Sequence, residues 1–394
     1  MALNSVSQAK LQKVRRFSVL TSTIQSQSIL LGLACAAVHK AEQTELVPPS
    51  FFAKPSGSSI LSSLRSRLSI SRVTPRVTPA TLEEKRPNFA FLRRIRDHPR
   101  FTQAALGHLM EEENKYPATV VNEGDTLIKL VNEWADKWLE DTHGDADVEK
   151  RLEGMVEEVV WGNVIWYGVG GWHARGDSGR TFNADFFVCV LSIPTVSSIL
   201  TVLNSVHLVT SAIFLLTVVL RSEQAPNPPV PLSSRLTLLK AYLATCAGWY
   251  ISRGNVALPI KDFYDATSDR LTAPPAVPAP PDAERKPLSA EGGPWQRVIT
   301  NTVAHPDEHL CKAVRSFSSF ATRWGGRPAG YYAGGGEGGL EGREVLDGTL
   351  FVRAASLTLD RLGWAQESGK SLGHWDRDGF NESGDGKGVS SAYL

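Results

Sequence analysis

The sequence predicts a mainly α-helical protein: a multi-helical single globular domain with long Pro/Gly-rich loops behind a disordered N-terminal tail. Three observations carry that expectation. Apolar residues recur at helical spacing in four separate stretches, alternating strand patterns are scarce, and proline- or glycine-rich segments separate the stretches. With 42% hydrophobic and 21% charged residues the chain has enough apolar material for a core, so a wholly disordered protein is excluded.

Taken in order, residues 1–86 read as a tail. Residues 1–41 contain no Asp or Glu but carry Lys10, Lys13, Arg15, Arg16 and Lys40 among many Ser and Gln. An acid-free basic leader fits a disordered tail or faulty gene start, an organelle transit peptide, or a secretory leader whose apolar part is Ile29 to Val38. Residues 55–86 continue Ser-, Arg- and Pro-rich, too poor in apolar side chains to order themselves. The folded domain is therefore expected over 87–394.

Four helical stripes follow. Leu127, Leu130, Val131, Trp134 and Trp138 make the first, and Val148, Leu152, Met155 and Val159 the second. Leu236, Leu239, Leu243, Cys246 and Tyr250 make the third; Leu350, Ala354 and Leu357 make a shorter fourth. Residues 225–231 are a proline connector, 272–294 a Pro-rich loop, and 333–342 a glycine-rich loop expected to be flexible. One run is awkward. Phe186 to Leu220 has no Asp, Glu, Lys or Arg, so by length it is a membrane-span candidate, with a buried helix pair broken near Pro194 and Asn204 as the alternative.

Composition also bounds function. The 42 basic and 41 acidic residues nearly cancel, which leaves no domain-wide basic surface for nucleic acid. Cys35, Cys189, Cys246 and Cys311 lie far apart with no Cys-x-x-Cys, so neither a disulfide scaffold nor a cysteine zinc site organises the fold. A reducing, cytoplasmic compartment follows, with an organelle or a single membrane pass through 186–220 as alternatives. Gly334, Gly336 and Gly339 formally match a dinucleotide fingerprint but lack the strand before and the apolar helix after it. No Walker loop, H-E-x-x-H or G-x-S-x-G is present, so no flavin or Rossmann site is expected.

The strongest constellation is AHPDEHLCKAVR, residues 304–315. Read as one helix opened by Pro306, it places Leu310, Val314, Phe317 and Ala321 on an apolar face. At about 100° per residue, His305, His309 and Lys312 then cluster within about 60° on the opposite face. Two imidazoles at i and i+4 could converge on one metal; two incidental histidines at an ordinary helix start are the plainer alternative. His207 sits in an otherwise apolar segment and is read either as a hydrogen-bonded core residue or as a third member of the site. Trp161, Trp166, Tyr167 and Trp172 could sandwich a flat polycyclic ligand or serve as core packing.

Several ordered blocks resemble the questin oxidase-like family: WGNVIWYGVGGW (161–172), NADFF (183–187), HLVTSAIFL (207–215), GWYISRG (248–254), AHPDEH (304–309) and 348–364. The resemblance spans roughly 90–380 and is nearest the Baeyer–Villiger-type oxidases of fungal aromatic polyketide pathways, such as those to aflatoxin, sterigmatocystin and monodictyphenone. It implies an oxidoreductase that uses dioxygen, with NADPH as co-substrate, to insert oxygen into or cleave an anthraquinone-like ring. It also implies non-haem Fe(II) held by His207, His305, His309 and Lys312. A membrane-anchored or non-catalytic polyketide-binding accessory protein is the alternative. The resemblance finally implies that 188–206 is an insertion between two family blocks. Its 19 codons are in frame and begin with a valine codon, which suits a translated short intron.

Overall fold

The computed structural model describes residues 85–112, 115–170, 208–220, 230–271, 293–334, 336 and 338–362. These residues form ten α-helices joined by short 3-10 turns, with no strand among them. In chain order the helices are α1 (Ala90–Arg96), α2 (Gln103–Leu106), α3 (Lys115–Leu139), α4 (Asp145–Gly168) and α5 (Leu215–Val218). Then come α6 (Leu232–Ser252), α7 (Ile260–Ala266), α8 (Pro294–Ala304), α9 (Glu308–Trp324) and α10 (Leu350–Leu362). All the described residues fall within one compact unit, Glu45–Val188 with Ser205–Leu394.

The four stripes become α3, α4, α6 and α10, and each turns its apolar residues inward. α4 differs from the rest because from Met155 to Gly168 every residue is buried, so this helix is covered on all sides. It starts with Asp145 and Asp147 in its first turn, where carboxylates suit the positive end of the helix dipole. Around it, α3 packs along α6, and both touch α4. α8, α9 and α10 pack against one another, and α10 also lies on α4. Small residues permit these approaches. A Cβ on Gly154 would sit 2.7 Å from the Trp138 ring, and one on Gly168 would sit 3.2 Å from Ala354.

Three charged groups inside this core are held by ion pairs or hydrogen bonds. Glu157 accepts two hydrogen bonds from Arg327, at 2.9 and 2.8 Å, and one from the Tyr332 hydroxyl at 2.9 Å. Its neighbour Glu158 faces the other way and accepts from Phe89 N, Trp134 Nε1 and Trp138 Nε1. Arg235, 1% exposed, pairs with Glu149 and donates to the Val219 carbonyl at 2.7 Å, so it ties α6 to α4 and to the end of α5. Removing one partner of a buried ion pair strands the other. Arg235→Leu should therefore cost about 3 kcal/mol, read as a lowered midpoint of urea unfolding.

Asn255 closes the end of α6 in the left-handed region, at φ 46°. Its Nδ2 donates to the carbonyls of Ile95, Arg96 and Phe101, at 3.2, 3.1 and 2.8 Å. Alanine there would lose those bonds and pay for the backbone conformation too. Asn255→Ala should destabilise by about 2 kcal/mol, whereas Asn255→Gly should recover the backbone part only.

Within the 333–342 loop Leu340 N donates to Asn88 O at 3.0 Å, and beside it Gly330 N donates to Glu344 O at 2.8 Å. One expectation needs correction. The stretch 304–315 is two helices and not one. α8 ends at Ala304, His305 is extended (φ −72°, ψ 139°), and α9 begins at Glu308 with Asp307 as its cap. The proline is the cause, since it disfavours helical backbone in the residue before it. Leu310, Val314 and Phe317 do face the core, while Ala321 is half-buried.

Of the apolar run, 208–220 is described and consists of short turns and α5, not a long helix. Among the described residues no helix is long and apolar enough to cross a membrane. The rest of the run, including the proposed insertion at 188–206, lies outside the described residues, as does most of the tail at 1–86.

Candidate active site

The α8–α9 corner brings together His305, Asp307 and His309. Residues on both sides brace it: His305 N donates to the Thr302 carbonyl at 3.3 Å, and the Cys311 thiol donates to the same carbonyl at 3.4 Å. His305 is 7% exposed. Its Nδ1 accepts a hydrogen bond from the backbone N–H of Asp307 at 3.1 Å. The Asp307 carboxylate caps α9 by accepting from His309 N at 2.7 Å and Leu310 N at 3.4 Å. The same oxygen lies 3.5 Å from His309 Nδ1, and the side chains of His309 and Asp307 are 20% and 23% exposed. Lys312, one turn further, is half-buried.

The helix that starts at this corner, α9, meets the segment that follows His207. The turn Ser211–Phe214 packs against α9. The Leu208 carbonyl accepts from Asn163 Nδ2 at 3.0 Å and from the Tyr242 hydroxyl at 2.8 Å, and the Ser211 and Tyr242 hydroxyls are 2.9 Å apart. Backbone one residue beyond His207 is thus fastened to α4 and α6. His207 itself lies outside the described residues, as does Trp172.

The other aromatic candidates are core. Trp161 is fully buried, edge-on to Tyr332 and Phe351 at 4.7 and 4.8 Å. Trp166 stacks on Tyr250 at 5.1 Å and meets Phe91 edge-on. The Tyr167 hydroxyl bonds Thr358 Oγ1 at 2.8 Å, and its ring packs on Phe317 of α9. Five residues apart on a helix means about 140° of rotation, so Trp161 and Trp166 point to different neighbours. These three rings pack on different side chains, and Trp166 also lines a small cavity with Phe91, Trp134 and Leu243.

An iron ion asks for donors of a definite kind. A histidine that binds through Nε2 must leave that nitrogen bare and carry its proton on Nδ1. His305 shows the reverse, because an Nδ1 that accepts an N–H bond carries no proton. In this arrangement it does not fit as a ligand. His309 fits, since a carboxylate beside Nδ1 is the usual outer support of a metal-binding histidine. Among the described residues no group of three or more His, Cys, Asp or Glu side chains is placed to hold a metal ion.

Asn163, Tyr242 and the capping role of Asp307 were missed in the sequence. Asn163 is the polar residue of an apolar run, Trp161 to Val164, and is fully buried. A buried amide must find partners, so its type was a usable signal. Asp307 follows a proline and precedes Glu308, the place of a helix cap. Tyr242 had no signal beyond its helix position.

Comparison with known proteins bears on the same residues. A family model described as questin oxidase-like matches residues 24–317. The match holds five of the six resembling blocks, starts earlier than the resemblance at 90–380, and stops short of 348–364. Comparison with curated proteins and with solved structures gives no match. The matched span is well over half of the chain and contains the whole His305–Asp307–His309 corner, so the chain belongs to the questin oxidase-like family.

Proposed function

We propose that this protein is a Baeyer–Villiger-type oxidase, one that inserts oxygen beside, or oxidatively cleaves next to, a ring carbonyl of an anthraquinone-like polyketide. Membership carries the coarser statement: an oxidoreductase of fungal secondary metabolism with a small-molecule substrate. The observation that carries the finer one is a buried histidine and a half-buried one held at a single braced corner inside the matched region. Such a pair can hydrogen-bond a carbonyl and assist proton movement on a phenolic ring. Insertion of one oxygen atom from dioxygen requires two electrons for the other atom, which leaves as water, and NADPH is the proposed donor. Cleavage that keeps both atoms requires no donor. We place the reaction in the cytoplasm.

Oxygen uptake by the purified full chain on a hydroxyanthraquinone, with and without NADPH, tests this. Uptake that depends on the anthraquinone supports it, and its dependence on NADPH separates insertion from cleavage. Tight ligand binding with no oxygen uptake would instead identify a polyketide-binding accessory protein.

The Asp307-supported geometry of His309 favours one further reading, with iron held by His207, His305, His309 and Lys312. It requires the His305 ring to release the Asp307 N–H. Metal analysis decides: about one iron per chain, lost in His309→Ala, is its expected result, and protein active without bound iron would end it.

A further inference from the structure

We propose that Tyr332 is a redox-active tyrosine. A one-electron oxidant, such as an oxygen-centred radical left by incomplete reduction of dioxygen, draws an electron from it by way of Trp161 while its proton passes to Glu157. The proposal goes beyond the oxidase reading and needs nothing from the α8–α9 corner.

Tyr332 is fully buried, and its hydroxyl donates to Glu157 Oε1 at 2.9 Å. Burial pushes this phenol up, and the charge on Glu157 adds to the effect, so the intact side chain keeps its proton. Loss of an electron reverses that preference, because a phenol radical cation is a strong acid and the carboxylate beside it is a base. The phenolic O–H bond breaks and a new O–H bond forms on Glu157 Oε1. The products are a neutral phenoxyl radical, a carboxylic acid and the oxidant reduced by one electron. Glu157 is 3% exposed and is fixed by two bonds from Arg327. The Arg327 side chain is 33% exposed, so solvent still reaches its charge once its partner is neutral. Tyr250 and Tyr264 differ, since their hydroxyls donate to the backbone carbonyls of Val256 and Asp347, which take up no proton.

Trp161, edge-on to Tyr332 at 4.7 Å, supplies the electron route. Its Nε1 is buried and finds no hydrogen-bond partner among the described residues. An oxidised indole there has no group to take its proton and stays strongly electron-accepting. Tyr332, which can release its proton, fills the vacancy. Phe89, at 5.1 Å, is far harder to oxidise. Tyr331, at 5.0 Å, has the guanidinium groups of Arg327 and Arg86 over its ring at 4.2 and 4.7 Å. Cations at a ring face oppose removal of an electron from it. The vacancy therefore stops at Tyr332.

Ultraviolet flash photolysis of the full chain, which photoionises tryptophan, tests both steps. Transient absorption should show tryptophan radicals decaying into a phenoxyl radical. Samples frozen after the flash should give the electron paramagnetic resonance signal of a tyrosyl radical. An exchangeable proton bonded toward its oxygen should appear as a deuteron coupling in protein refolded in D2O. Tyr332→Phe keeps the ring and the Glu157–Arg327 pair and should lose this signal, whereas Tyr264→Phe should retain it. Trp161→Phe should lower the yield. Absence of a tyrosyl radical in the wild type, a radical without the deuteron coupling, or a signal that survives Tyr332→Phe would each overturn the proposal. A yield indifferent to Trp161→Phe would overturn it as well. The first two readouts use the wild-type chain, so the test does not depend on how either variant folds.

Discussion

Replacing Glu158 with leucine is expected to destabilise the protein by about 3–5 kcal/mol, a large part of the stability of an ordinary domain. The carboxylate is fully enclosed and receives three N–H bonds: Phe89 N at 2.7 Å on one oxygen, Trp134 Nε1 at 2.8 Å and Trp138 Nε1 at 2.5 Å on the other. Leucine fills the space and leaves three buried donors unmet, at about 1–3 kcal/mol for each that water cannot reach. Those donors come from the start of α1 and from α3, so the loss loosens the attachment of both to α4. Glutamine is the informative control. Its carbonyl can still serve the tryptophan pair, but its amide then meets the Phe89 N–H donor to donor, and the expected cost is about 2 kcal/mol. Burial pushes the Glu158 carboxyl above the ordinary glutamate range, and the three N–H donors pull it only part of the way back. The folded chain therefore binds this proton more tightly than the unfolded chain. Its contribution is fully present below the ordinary glutamate pKa and declines as the pH rises through the raised value. The advantage of wild type over Glu158→Gln in urea unfolding should accordingly be greater at acid pH than at neutral pH, and a gap that widens toward neutral pH would refute the assignment.

The helices were legible because burial leaves a period in the sequence, as the stripes of α3, α4 and α6 show. Periodicity has less to say where burial is complete. From Met155 onward α4 has no outward face, so nothing in its pattern says which side each aromatic ring takes, and only the positions of Tyr250, Tyr332 and Phe351 settle it. Those partners lie about 80 to 190 residues away, and no local rule reaches them. The candidate corner was half legible. His305 and His309 were singled out by type and spacing and do lie at one turn, but the shared helix that was to unite them does not exist. The sequence did contain the correction: His305 precedes Pro306, which favours extended backbone, and Asp307 is among the best capping residues. Weighing Pro306 as a helix opener obscured both. What replaces the shared helix face is a turn, in which the two histidines are related through Asp307 rather than through helical spacing.

Substituting His309 by glutamine should lower kcat on a hydroxyanthraquinone by about 10²–10⁴-fold, the usual range for a positioned acid–base group. Tm should hardly change, because the side chain is on the first turn of α9, partly exposed, and the cap made by Asp307 to the backbone remains. His305→Gln should be costly as well, but in both respects, since this ring is buried and its Nδ1 satisfies the Asp307 N–H. Lys312 separates the acid–base reading from the iron reading. Half-buried one turn beyond His309, it is spared by the first and required as a ligand by the second. Lys312→Met should therefore leave kcat within about threefold if the histidine pair carries the chemistry, while loss of activity together with bound iron would transfer the assignment to a metal centre. Oxygen uptake by His309→Gln within a few-fold of wild type would remove the corner from the reaction altogether. Family membership does not depend on that result, because the matched segment extends from residue 24 to 317 and takes in far more than this turn.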